Sequence, residues 1–180
     1  VCGYRDANAD GDQWWVEMPF TTDAAQVKAD LASLVASGGG DEPESLLDGM
    51  WKLAKLPETR KGEPGDPHSW RYHSDVARCV IVFTDATSHM STSIPEAGGA
   101  VFDDVAREVM NARIRLSVYA PEAECYVIIS GIDKSEFESI GTLSNAQEAM
   151  VAFSRDTSNF KKTMEQLAKS ISVSSETPAL

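Results

Sequence analysis

The sequence predicts an α/β domain built on a mostly parallel, helix-covered sheet. Three observations predict it. Residues 77–86 (ARCVIVFTDA) hold a continuous apolar run and 114–120 (IRLSVYA) reads as another buried strand, as expected for parallel strands covered on both faces. Through the second half, such runs alternate with segments whose apolar residues fall at helical spacing. The length of 180 residues, with 42% hydrophobic and 24% charged residues, suits one soluble globular domain with a sizeable core.

Each element follows in order. Residues 1–5 (VCGYR) and 14–20 (WWVEMPF) are strand candidates, the second rich in aromatic and β-branched residues. Thr22 or Asp23 caps a helix on which Val27, Leu31, Leu34 and Val35 share one face. GGGDEPES (38–45) breaks it, and Leu46, Leu47, Met50, Trp51, Leu53 and Ala54 mark a second amphipathic helix. Residues 57–69, dense in Pro, Gly and charge, form an exposed loop. After the 77–86 strand, a polar loop leads to a helix over 101–112 with Val101, Val105 and Val109 aligned. CYVIIS (125–130) suits either a strand or a buried helix. KSEFESIGTL reads as a helical piece ending at Gly141, AMVAFSR (149–155) as a short last strand, and 159–172 as a helix striped by Phe160, Met164, Leu167 and Ile171. Residues 173–180 are expected to be a frayed tail.

Charge and cysteines narrow the function classes. Sixteen basic against 28 acidic residues give a net charge of −12, which repels phosphate backbones and favours cations or basic surfaces as partners. No apolar run reaches the roughly 18 residues of a membrane helix. Cys2, Cys79 and Cys125 are odd in number and far apart, without zinc spacing, so buried reduced thiols and a cytoplasmic setting are expected.

DANADGDQWWVE (6–17) matches the calcium-loop pattern D-x-[DN]-x-[DN]-G-x5-E at every specified place. An EF-hand needs a helix on each side of that loop, however. VCGYR is too short for one, and Pro19 stops the other. The favoured reading is a polar hairpin tip. Calcium held locally by Asp6, Asn8, Asp10, Asp12 and Glu17 is the alternative.

Ligands of open parallel sheets bind at the carboxyl ends of the strands, where the connectivity reverses. Asp85 ends the strongest strand, and Asp41 and Glu44 lie in a Gly-rich loop that opens a helix. Together they offer oxygen donors to a hard divalent cation, or cap the helix and turns in which they sit. GYRD, the TTD-capped helix, GGGDEPES and VIVFTDA, in that order, resemble a von Willebrand factor A domain over most of the chain. The branches it resembles carry a GGGD-x-PE loop, as in the inserted domain of integrin β subunits. The resemblance implies a Rossmann-like three-layer fold and a metal-ion-dependent adhesion site. Glu44 and Asp85 would be ligands of Mg2+ (or Mn2+ or Ca2+), and Asp41 would serve an adjacent metal. Ser88 and His89 would line the site or lie as plain loop residues beside it.

The resemblance also implies a first strand ending in D-x-S-x-S, which this sequence lacks; GIDKSEF offers Asp133 and Ser135 but in the wrong order, with Phe137 in the last place. The expectation is a single domain over 1–180 that is N-terminally incomplete. A strand and helix of about 35–45 residues would be missing, as judged from the size of a βα unit. The implied function is a metal-dependent protein-interaction module whose partner completes the metal shell with an acidic residue. The rival is a metal-dependent hydrolase or phosphoryl-transfer enzyme with paired carboxylates, or an accessory subunit of a larger enzyme. No P-loop, G-x-S-x-G or H-E-x-x-H supports the rival, and His68, His73 and His89 have no ligand-like spacing.

Overall fold

The computed structural model describes residues 1–35, 42–132 and 135–156, with 158, 161, 162, 165, 166 and 169. The expected helix over 159–172 and the tail fall largely or wholly outside the described residues. The architecture is mixed α/β, with five α-helices among the described residues. Two compact units make it up: 1–75 with 88–112, and 76–87 with 113–180.

In the first unit, β1 (Cys2–Tyr4) and β2 (Trp15–Glu17) pair antiparallel, with Tyr4 opposite Trp15. Helix α1 (Ala24–Ser33) starts at Asp23, whose carboxylate accepts the Ala25 N–H at 2.8 Å. Its expected apolar stripe does not form a core. Leu31 and Val35 are 55% and 68% exposed, while Asp30 is buried and takes a hydrogen bond from Gln26 at 2.7 Å.

Helix α2 (Leu46–Lys55) buries Leu46, Leu47 and Met50, and α3 (Phe102–Asn111) buries Val105 and Val109. The two helices pack on each other, with Lys55 reaching Glu108 at 2.6 Å. Gly49 lets Trp15 lie against α2, since a side chain there would stand 3.0 Å from its ring. Loop 57–69 is pinned by the neighbouring Trp70, which donates to the Leu53 carbonyl at 2.8 Å and lies tilted against the Phe20 ring.

In the second unit, β3 (Arg78–Phe83), β4 (Ile114–Glu122) and β5 (Glu136–Thr142) form a parallel sheet in that order. Phe153 of α5 (Ala146–Arg155) stacks on Tyr119 and near Phe83. Tyr126 of α4 (Glu124–Ile129) stacks on Phe137, whose register partner Val118 faces the opposite side from Tyr119. A helix therefore meets each face of the sheet. Burial, with Glu138 and Glu136 nearby, pushes the Tyr119 phenol up to about 12.

CYVIIS takes the helical one of its two readings, as α4. Several expectations need correction here. KSEFESIGTL is not helical but carries β5, and AMVAFSR is not a strand but lies in α5. Residues 77–86 do hold a strand, but among the described residues β3 pairs with β4 alone and stands at the sheet's edge; Val80 and Ile81 are half-buried. Cys125 is buried as expected, whereas Cys2 is exposed, and all three thiols are free.

Candidate functional site

The loop between β1 and β2 is a hairpin loop, with strands and not helices on both sides. Arg5 N–H closes it on the Trp14 carbonyl at 2.8 Å. The Asp6 carbonyl then accepts the N–H groups of Ala9 and Asp10, which turns the backbone sharply. That turn drives the Asp6 side chain inward, where it is 3% exposed. Its Oδ1 collects three contacts: the Asn8 N–H at 3.0 Å, the Ser45 hydroxyl at 3.2 Å and His89 Nε2 at 3.2 Å.

Two further segments of the first unit meet this loop. Ser45, just before α2, accepts the Ala7 N–H on its hydroxyl at 2.9 Å and gives its own N–H to the Arg5 carbonyl at 3.3 Å. Glu44 forms a parallel bridge with Ser88, and its carbonyl accepts the His89 N–H at 3.0 Å. Asn8 reaches the same segment, its amide donating to Ser93 Oγ at 3.0 Å. Behind it lies Asp48, fully buried on α2, whose Oδ1 accepts the N–H groups of Ser93 and Ile94 at 2.7 and 2.9 Å. The second oxygens of Asp48 and Asp10 are buried and take no hydrogen bond from the described residues.

The expected site residues thus separate. Glu44, Ser88, His89, Asp6 and Asn8 come together in one knot of the first unit. Asp10 precedes a 3-10 turn over Gly11–Gln13, and Asp12 stands exposed in it. Glu17 lies in β2 opposite Cys2, accepting the Trp15 indole N–H at 3.4 Å. Asp41 lies outside the described residues. Asp85 belongs to the second unit, exposed on the turn after β3. There, Ala86 donates its N–H to Thr84 Oγ1 and accepts the Tyr126 hydroxyl at 2.6 Å.

Sequence reading missed Ser45, Asp48 and Ser93. Ser-x-x-Asp at 45–48 spells a helix-capping box. Ser45 makes no side-chain cap, though, and both side chains serve the neighbouring loops instead. The available signal was an aspartate among the apolar residues Leu46, Leu47 and Met50, where a carboxylate is costly unless it is hydrogen-bonded.

Burial pushes the Asp6 carboxyl up. The Asn8 N–H, the His89 ring and the Ser45 hydroxyl outweigh it and hold Asp6 below the usual carboxylate range. A carboxyl depressed in the folded state contributes stability that is fully present above the unfolded value of about 3.9. That contribution is lost as pH falls through the lower folded value. Thermal melts between about pH 2 and 6 should show a decline that Asp6→Asn flattens at its acid end. Equal slopes in the two proteins would mean that Asp6 carries none of it.

A magnesium cage of several carboxylates does not match these donors. Among the described residues, no three His, Cys, Asp or Glu side chains converge. What converges is one carboxylate, one imidazole and one amide, backed by hydroxyls. No protein family and no curated protein matches the sequence.

Proposed function

We propose that the chain is a divalent-ion-dependent protein-interaction module of the von Willebrand factor A type, and not itself an enzyme. The observation that carries this reading is the convergence of three segments of the first unit on Asp6. The DANAD loop, the Pro43–Ser45 segment and the Ser88–Ser93 loop are hydrogen-bonded to one another there. Such a knot fixes polar groups on non-repeating backbone, where binding residues concentrate. A divalent ion with an open coordination place offers a strong, directional contact to an acidic side chain, which suits recognition without turnover. The three-layer fold drawn from the resemblance belongs to the same proposal.

The test is retention of the chain on arrays of Asp- and Glu-containing peptides in Mg2+, Mn2+ or EDTA. Phosphatase and nuclease assays with Mn2+ run beside it. Retention should need the ion and fall about tenfold or more in Asp6→Asn, equivalent to roughly 1.4 kcal/mol. Turnover that disappears in Asp85→Ala, without ion-dependent retention, would establish the enzyme reading instead.

A further inference from the structure

We propose that Asp6, His89 and Asn8 seat a first-row transition ion, manganese or zinc, through Asp6 Oδ1, His89 Nε2 and the Asn8 amide oxygen. This names the ion and the side chains for the ion-dependent reading above and rests on it. The distances come first. Asp6 Oδ1 and His89 Nε2 are 3.2 Å apart, and the Asn8 amide stands 3.5 Å from the same ring nitrogen. Two ligands each about 2.1 Å from one ion, at angles between octahedral and tetrahedral, are separated by roughly 3.0–3.5 Å.

The second observation is a conflict of hydrogen-bonding roles. His89 Nε2 faces a carboxylate oxygen, which needs a proton from it, and the Asn8 NH2 group, which needs its lone pair. One ring nitrogen supplies a proton or a lone pair, never both. Half a turn of the Asn8 amide removes the conflict by itself, and the three donors it leaves side by side are a set that fits a cation. The ring and Asp6 both turn lone pairs to it, and half a turn of the amide presents the Asn8 oxygen. Ser93, now an acceptor from Asn8 at 3.0 Å, keeps its contact by rotating its hydroxyl to donate.

The surroundings are those of a ligand set held in place from outside. Asp6 Oδ1 already takes the Asn8 N–H and the Ser45 hydroxyl, and Ser45 is fixed by the Ala7 N–H. Asp48 anchors the backbone of Ser93 and Ile94. A mixed nitrogen and oxygen set favours manganese or zinc over magnesium, which prefers oxygen alone and keeps its waters. Three protein ligands leave places for water or for a partner's carboxylate.

The experiment uses Mn2+ as the probe, followed by electron paramagnetic resonance on the 180-residue chain and on His89→Gln, Asp6→Asn and Glu44→Gln. Circular dichroism confirms that each is folded. His89 is only partly buried, so His89→Gln keeps the test valid if Asp6→Asn unfolds. The expected results are Mn2+ binding displaced by Zn2+ at lower concentration than by Mg2+, and an imidazole nitrogen coupling in the pulsed spectrum. His89→Gln should lose at least the ten- to hundredfold that outer-shell losses cost, and the coupling with it. Equal Mn2+ binding by wild type and His89→Gln overturns the assignment. If Glu44→Gln alone then abolishes binding, the interaction reading survives without it. No Mn2+ or Zn2+ binding by the wild type also overturns it, and ion-dependent peptide retention then decides the interaction reading separately.

Discussion

Asp48→Ala should lower the stability of the chain by roughly 2–4 kcal/mol, among the largest effects expected of one substitution. Asp48 is fully buried, and its Oδ1 accepts the N–H groups of Ser93 and Ile94. Removing it leaves two donors without their acceptor, the Ile94 N–H buried and the Ser93 N–H part-buried, and a buried one costs about 1–3 kcal/mol before relaxation. Asp48→Asn keeps an acceptor and removes the charge, so its loss should be much smaller. Urea denaturation followed by tryptophan fluorescence measures both, since all four tryptophans lie in the same unit as Asp48. Equal losses in the two variants would show that charge, and not the accepted hydrogen bonds, is what Asp48 contributes.

Leu116→Ala is the second large effect, with an expected cost of roughly 3–5 kcal/mol. Leu116 is 1% exposed on β4, the strand with a neighbour on each side, paired with Val80. A cavity there has little freedom to collapse, because both flanking strands are tied to β4 by their ladders. The second unit holds no tryptophan, so far-UV ellipticity in urea is the suitable readout. A loss below about 1.5 kcal/mol would mean that the site repacks, as conservative core exchanges do.

How much of this was legible in the sequence depends on which physical signal each segment carries. IRLSVYA could be placed because Ile114, Leu116, Val118, Tyr119 and Ala120 outweigh Arg115 and Ser117, as in a strand covered on both faces. The hairpin could be placed because strand formers flank turn formers. EFESIGT and AMVAFSR were exchanged for a specific reason. In β5, Phe137 and Ile140 fall three apart and mimic helical spacing, while Glu136, Glu138 and Ser139 take the more exposed places. In α5, the β-favouring Val151 and Phe153 are overridden by packing of the helix on β5. The stripe on α1 has correct spacing, yet what the unit buries there is Asp30.

For the site, Glu44 and His89 could be named as residues but not joined. Asp6 and His89 stand 83 positions apart, and no local spacing reports a contact of that range. Asp6 itself was set aside with the hairpin tip. Its burial follows from the backbone turn that its own carbonyl makes with Ala9 and Asp10, which composition alone does not reveal.

The edge position of β3 has a consequence for how the chain behaves among copies of itself. Residues 80–82 are an uncharged, β-favouring run for which β4 is the one strand partner among the described residues, and a strand with one free side is the kind of template that recruits further strands. Asp75 and Asp85, both exposed, bracket it as gatekeepers, and a net charge of −12 makes each copy repel the next. Salt weakens that repulsion without weakening backbone pairing. Ionic strength and protein concentration therefore set the colloidal lifetime of the chain, through a strand whose own folding needs neither.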